Sequence, residues 1–297
     1  MSKVIIVTGA ANGIGARLCR ELVGAGHTVY IASQDYRILA DLEMRSPSSN
    51  LKPSNLNLHA VDLNVSSQRS TQLAVDRIVA ESGRIDVVVH NSAQVVYGPT
   101  EAFVPEQIAE IYETNILCAQ RLNRAVLPQM RRQGCGLLVW VSSSSARGAS
   151  PPFSGVYASS KAALDALAIG YAGELTRWGI ETTIVVTPAL GPSHYLRSDR
   201  PRDLVRTEEY ADGPTVDLGD RARRGLAAIS PNDFDPGIVA CAIETVIKLP
   251  FGQRPFRIHF DPDDDGGALL NNIADRVRID LLRRIGIEDI LKPAIIG

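Results

Sequence analysis

A chain of 297 residues, 45% hydrophobic and 22% charged, is long enough for one large core, and its net charge of −2 is scattered in both signs. That balance argues against nucleic acid or a polybasic membrane surface as partners, and no apolar run approaches the roughly 18 residues of a membrane span. Cys19, Cys118, Cys135 and Cys241 form no C-x-x-C pair. Three of them lie in apolar helix- or strand-like contexts, which predicts buried free thiols in a reducing compartment. An apolar strand begins directly after Met1-Ser2-Lys3, without room for a secretory signal, so a soluble cytoplasmic protein is expected.

Short β-branched runs alternate with longer helical patterns. Residues 4–7 read as a buried strand, with helical periodicity from about 13 to 25 after it. A second strand at 29–32 is followed by a short helical pattern at 38–42 and a polar loop at 46–53. Further strands are expected at 56–61, 87–89, 137–141 and 182–186, with helices over 68–82, 105–132 and 155–177. None of the strands alternates apolar with polar residues, so the sheet should be parallel and covered by helices on both faces. Right-handed crossovers then give an α/β, doubly wound parallel sheet of the Rossmann type, in a single domain with its core at about 3–250. Residues from about 189 to 235 form a charged, Pro-containing insertion, too long for a plain connection and therefore a candidate substrate lid. The C-terminal part, 251–297, starts with a strand at 256–260 and continues through an Asp-rich turn at 261–265 into an amphipathic helix at about 268–285. That turn lacks calcium-loop spacing and the five His show no ligand spacing, so no metal is expected.

Two motifs carry chemistry. After the first strand stands Thr8-Gly9-Ala10-Ala11-Asn12-Gly13-Ile14-Gly15. Glycines there let the backbone turn sharply and approach a pyrophosphate, and the helix that follows offers unpaired N–H groups to its charge. The G-x-x-x-G-x-G spacing differs from the ordinary G-x-G-x-x-G dinucleotide fingerprint. The second motif is Tyr157 with Lys161. The chain has 26 Arg and only five Lys, so a Lys would follow a given Tyr at that offset by chance about 2% of the time. On a helix the two share a face, where an ammonium beneath the phenol stabilises phenolate and makes a general acid/base at neutral pH. An isolated pair of this kind is usually an exposed helix face, and its company decides the reading.

Together with Asp62, Asn91-Ser92-Ala93, Asn115 and the serine run 142–145, these motifs resemble the classical short-chain dehydrogenase/reductases over roughly residues 3–250. The resemblance implies an NAD(P)-dependent oxidoreductase that interconverts a ketone or aldehyde and an alcohol. It makes Tyr157 the general acid/base, and Lys161 the group that lowers its pKa and holds the nicotinamide ribose. Asn115 would hold a helix kink and a water linking Lys161 to solvent. A serine ending the fifth strand would bond the substrate oxygen; the family spacing selects Ser144, with Ser143 the alternative. The cofactor would be held by Gly9, Asn12, Gly13, Ile14 and Gly15 at the pyrophosphate and by Asp62 and Leu63 at the adenine. Asn91 and Ala93 would lie at the adenosine ribose, and Pro188 and Leu190 at the carboxamide. Two departures affect this geometry: Asn91-Ser92-Ala93 replaces Asn-Ala-Gly, and Pro188-Ala189 replaces Pro-Gly.

The end of the second strand offers Ser33 and Gln34 rather than an acid for the ribose 2′-OH, and Arg37 is near enough to meet a 2′-phosphate. NADP (NADPH) is therefore expected, with NAD possible. Gln94, Tyr97, Phe153, His194 and Tyr195, with Ser144 and Tyr157, form the expected substrate site. Their apolar and aromatic character suits a medium or bulky small-molecule carbonyl compound. By resemblance alone, the helices at 105–132 and 155–177 imply a homodimer or homotetramer. A redox-neutral enzyme of the same fold (an epimerase, isomerase or dehydratase) stays open. So does a non-catalytic cofactor sensor, although the intact Ser, Tyr and Lys count against it.

Overall fold

The structure, a computed structural model, describes residues 2–33, 57–64, 66–148, 150–188, 198–229, 235–260 and 266–292. Seven strands form one sheet: β1 (Val4–Thr8), β2 (Thr28–Ser33), β3 (Leu58–Asp62), β4 (Val87–His90), β5 (Gly136–Ser143), β6 (Ile180–Thr187) and β7 (Arg257–His259). Their order is β3-β2-β1-β4-β5-β6-β7, and every pair is parallel. This is the doubly wound topology expected from the unbroken apolar strands. It reverses direction between β1 and β4, so the crevice beyond the carboxyl ends of those two strands is the natural ligand position.

The nine helices among the described residues are α1 (Gly13–Gly24), α2 (Gln68–Ser82), α3 (Pro105–Tyr112), α4 (Cys118–Gln133), α5 (Gly155–Leu175), α6 (Leu204–Asp212), α7 (Leu218–Ile229), α8 (Pro236–Lys248) and α9 (Gly267–Arg284). Side chains alternate across each strand, so β1 sends Val4 and Ile6 into one core and Ile5 and Val7 into the other. The first core is closed by α2, α4 and α5, the second by α1 and α8. Each fully buried Ile or Leu contributes about 1.5–3 kcal/mol of hydrophobic stabilisation, and these two layers fix where the strand ends point.

Three expectations are modified. Apolar periodicity over 105–132 predicts one helix, but a π-helical turn at Glu113–Leu117 separates α3 from α4. The wider turn accompanies Asn115, whose side chain leaves the helix to bond the backbone of Gln94. Of the cysteines, only Cys19 and Cys118 are buried; Cys135 is half-buried and Cys241 is exposed. Cys241 lies off the buried face of α8, which is formed by Val239, Ala240, Ile243, Val246 and Ile247. The insertion is held firmly at its root: Asp199 pairs with Val96 in a parallel bridge and the Asp203 N–H donates to Ala102 O at 3.3 Å. The segments at 38–42, 46–53 and 261–265 lie outside the described residues. No helix among the described residues is long and apolar enough to cross a membrane.

Candidate active site

The loop from β1 to α1 is shaped by close backbone approach. A Cβ on Gly9 would meet Ser92 Cα at 2.8 Å, and one on Gly15 would meet Gly9 O at 2.4 Å and Asn91 Nδ2 at 2.6 Å. Gly9 also has φ +66, a conformation that L side chains rarely adopt. Gly13 faces open space at the first position of α1, with no acidic side chain in the first turn and no side-chain cap from Asn12. The N–H groups of a helix start therefore face an uncrowded cradle. Asn91 braces it from β4: Nδ2 donates to Thr8 O at 3.1 Å and to Gly9 O at 2.9 Å. The Thr8 hydroxyl accepts from the N–H groups of Asn91 and Ser92. Asp62 is exposed at the end of β3, opposite Ser33 in register, and the Leu63 side chain is buried in the core, leaving only its backbone for a ligand. Ala93 is exposed and Pro188 is buried directly after β6. Arg37 and Leu190, expected at the cofactor, lie outside the described residues, as do His194 and Tyr195.

The residues expected to be catalytic come together where β5 meets α5. Tyr157 is 6% exposed and Lys161 2%. Lys161 Nζ donates to Val141 O at 2.9 Å and lies 6.0 Å from the Tyr157 ring centroid. Burial lowers the Lys161 pKa from its usual 10.5 to about 8. The serines after β5 divide their tasks. Ser142 Oγ donates to Asp165 and Ser143 Oγ accepts from the Ser145 N–H, capping the turn at Ser144–Ala146. Ser144 Oγ is buried without a hydrogen-bond partner among the described residues. Asn115 anchors the rear of the cluster: its Oδ1 accepts from the Gln94 N–H at 2.6 Å, and its Nδ2 donates to Ser160 Oγ at 2.9 Å. Ser160 Oγ donates in turn to Tyr157 O at 2.7 Å. Ser160 was not expected from the sequence, and its place three residues after the tyrosine was the available signal.

Among the residues expected at substrate, Gln94 is hydrogen-bonded within the protein. Its backbone is bound to Asn115 and its Nε2 donates to Asp199 Oδ2 at 2.6 Å. Tyr97 and Phe153 do come together, edge to face at 6.1 Å, and Tyr210 of α6 meets Phe153 at 6.2 Å. These rings line a cavity of about 200 Å³ under α6 and α7, with Arg200 at its wall. The Tyr97 hydroxyl donates to Gly219 O at 3.2 Å, and burial raises its pKa. Phe153 has φ 70, alone among the described non-glycine residues, and its carbonyl accepts from the Gly98 N–H at 2.9 Å. Such a conformation costs about 1–3 kcal/mol and persists where surrounding contacts determine it.

A glycine cradle at the β1–β4 switch point beside a buried Ser-Tyr-Lys cluster calls for comparison with known proteins. The model of the short chain dehydrogenase family matches residues 3–201. The chain belongs to that family. Rat estradiol 17-beta-dehydrogenase 1 is 27% identical over 84% of this chain and 71% of its own length. The 3-ketodihydrosphingosine reductase of Bacteroides thetaiotaomicron is 29% identical over 62% of each chain, so this chain spans about three-fifths of that relative. A short-chain dehydrogenase structure from Streptomyces avermitilis covers 96% of this chain and 98% of its own, with 25% identity and a TM-score of 0.73. As a short-chain dehydrogenase, this chain has the Rossmann-type sheet of its relatives and their general NAD(P)-dependent oxidoreductase chemistry. The cradle geometry fits such a dinucleotide: the two positions where a methyl group would clash are glycine, and the position facing open space adjoins the helix start.

Proposed function

We propose that this short-chain dehydrogenase interconverts a medium or bulky ketone or aldehyde with its alcohol, using NADP. The observation that carries the reading is three buried groups where β5 meets α5: a serine hydroxyl without a partner among the described residues, a tyrosine, and a lysine on the same helix face. The bound nicotinamide supplies or accepts the hydride. In reduction, the Tyr157 hydroxyl gives its proton to the carbonyl oxygen, and the Lys161 ammonium stabilises the phenolate left behind. The Ser144 hydroxyl donates a hydrogen bond to the same oxygen. Ser143 is less suited, since its oxygen already caps the following turn. Gly9, Asn12, Gly13, Ile14 and Gly15 hold the pyrophosphate, with Asp62, Leu63, Asn91 and Ala93 along the adenosine half. The non-acidic Ser33 at the end of β2 and the nearby Arg37 support NADP over NAD. The rings of Tyr97, Phe153 and Tyr210 on the substrate side accord with relatives named for estradiol and 3-ketodihydrosphingosine. A homodimer or homotetramer in the cytoplasm completes the reading, and a monomer by light scattering would refute that assembly.

The test is Tyr157→Phe. Turnover should vanish while cofactor dissociation constants stay within about twofold, since the ring and its packing remain. Equal loss of both would make Tyr157 a structural residue. Tighter binding of NADH than of NADPH would overturn the cofactor assignment.

A further inference from the structure

The face of α5 that carries Tyr157 and Lys161 continues one turn on to Asp165, a carboxylate with no task in the reaction proposed above. It is 2% exposed, and a buried charge persists only where it is paired. Its partners bracket one short segment. Ser142 Oγ donates to its Oδ1 at 3.3 Å, and Arg147 Nη2 donates to its Oδ2 at 2.9 Å. Ser142 precedes Ser144 by two residues and Arg147 follows it by three. One turn closer to Tyr157, Lys161 holds Val141 O. The face 157–161–165 thus grips both the entry and the exit of the turn in which the Ser144 hydroxyl is buried.

The carboxylate is itself held from behind. Arg257 of β7, its side chain 3% exposed, binds both oxygens of Asp165 at 2.6 and 3.3 Å and both oxygens of Asp275 in α9 at 2.9 and 3.3 Å. Helix α9 turns Leu269, Ile273, Val277 and Leu281 towards solvent, while Asp275 faces the body of the molecule and Arg278 stacks 4.3 Å from the Phe256 ring centroid. Strand β7 and helix α9 lie beyond residues 3–201, which match the family.

The geometry assigns Asp165 and Arg147 as positioning residues: together they fix both ends of the Ser144 turn to the helix that carries Tyr157 and Lys161, with Arg257 and the C-terminal segment holding the carboxylate in place. Ser144 and Tyr157 must meet a single substrate oxygen, so their relative placement sets the rate more than the affinity. A displacement of about 1 Å costs up to about a hundredfold in rate. The assignment rests on Ser144 as the residue facing substrate.

The decisive variant is Arg147→Ala. Arg147 is 29% exposed, and its loss leaves the Asp165–Arg257 pair whole, so the fold is retained. Turnover of a carbonyl substrate should fall about ten- to a hundredfold, with KM and cofactor dissociation constants within about twofold. Hydrogen exchange in residues 141–148 should rise while the β1–α1 loop is unchanged. In a Ser144→Ala background, Arg147→Ala should cost almost nothing further, because the effect passes through Ser144. An equal cost in both backgrounds, or unchanged exchange in 141–148 in both Arg147→Ala and Asp165→Asn, would overturn the assignment. If Ser144→Ala leaves no measurable turnover, or the wild type itself has none, the exchange comparison decides alone. A wild type without turnover on any carbonyl would sink the functional reading separately.

Discussion

The proposed cofactor cradle and the proposed substrate side are built by different means. The cradle is fixed by main chain: two glycines whose missing methyl groups admit Gly9 O and Ser92, and one asparagine that ties two carbonyls. The substrate side is rooted by one backbone bridge, Val96 with Asp199, and held beyond it by side chains reaching across the sequence. Arg202 pairs with Glu110, Tyr210 with Glu101 and Tyr97 with Gly219, over separations of 92, 109 and 122 residues. Backbone shape admits little change and suits a ligand shared by many enzymes. Side-chain pairing can be exchanged residue by residue, which suits a variable substrate.

The contrast can be broken most severely at Gly15. Gly15→Ala forces Gly9 O and Asn91 to move, an overpacking cost of about 1–3 kcal/mol. If it falls on the bound state, NADPH dissociation constants should rise about ten- to a hundredfold in fluorescence titration. Unchanged affinity would mean that the cradle does not form the binding surface. Next in size, Asn91→Ala leaves two carbonyls without their donor, a loss of about 1–3 kcal/mol visible as a lower melting temperature and weaker cofactor binding. Phe153→Ala should separate the two regions: KM for a bulky carbonyl rises severalfold while cofactor affinity holds. Parallel changes in both constants would merge them into one site. Smallest is Arg202→Ala, which removes an exposed pair and should leave the melting temperature unaltered.

A pH experiment probes the cluster between the two regions. Burial lowers Lys161 to about 8 from 10.5, so the folded protein holds the charge at a cost below pH 8. Between pH 8 and 10.5 the unfolded chain keeps a proton that the native state has released, and the stability contributed by this residue rises with pH. The melting-temperature advantage of Lys161→Met should therefore be greatest near pH 7 and fade towards pH 10.5. An advantage independent of pH would show that folding leaves the Lys161 pKa unshifted.

The fold was legible because unbroken apolar strands admit few arrangements other than a covered parallel sheet, and the glycine spacing placed the cradle on it. Tyr157 and Lys161 were legible from their helical offset. The serine run was legible as a group only: Ser143 and Ser144 look alike until one is seen capping a turn and the other without a partner among the described residues. The break in the long helix was not visible, because Ile111, Ile116 and Leu122 continue the apolar pattern through the π-turn. Gln94 was expected at substrate from its place after the fourth strand, and its bond to Asp199, 105 residues away, was not visible in the sequence. Asp165 carried a signal that was passed over, a lone carboxylate one turn beyond Lys161 among apolar helix positions.

The most direct test of the account is nicotinamide absorbance during turnover, with NADPH and a panel of aliphatic, aromatic and bicyclic ketones. The account predicts consumption of NADPH with at least one bulky ketone by the wild type and none by Tyr157→Phe. A protein that binds NADPH yet leaves its absorbance unchanged with every ketone, or a Tyr157→Phe variant as fast as wild type, would contradict it.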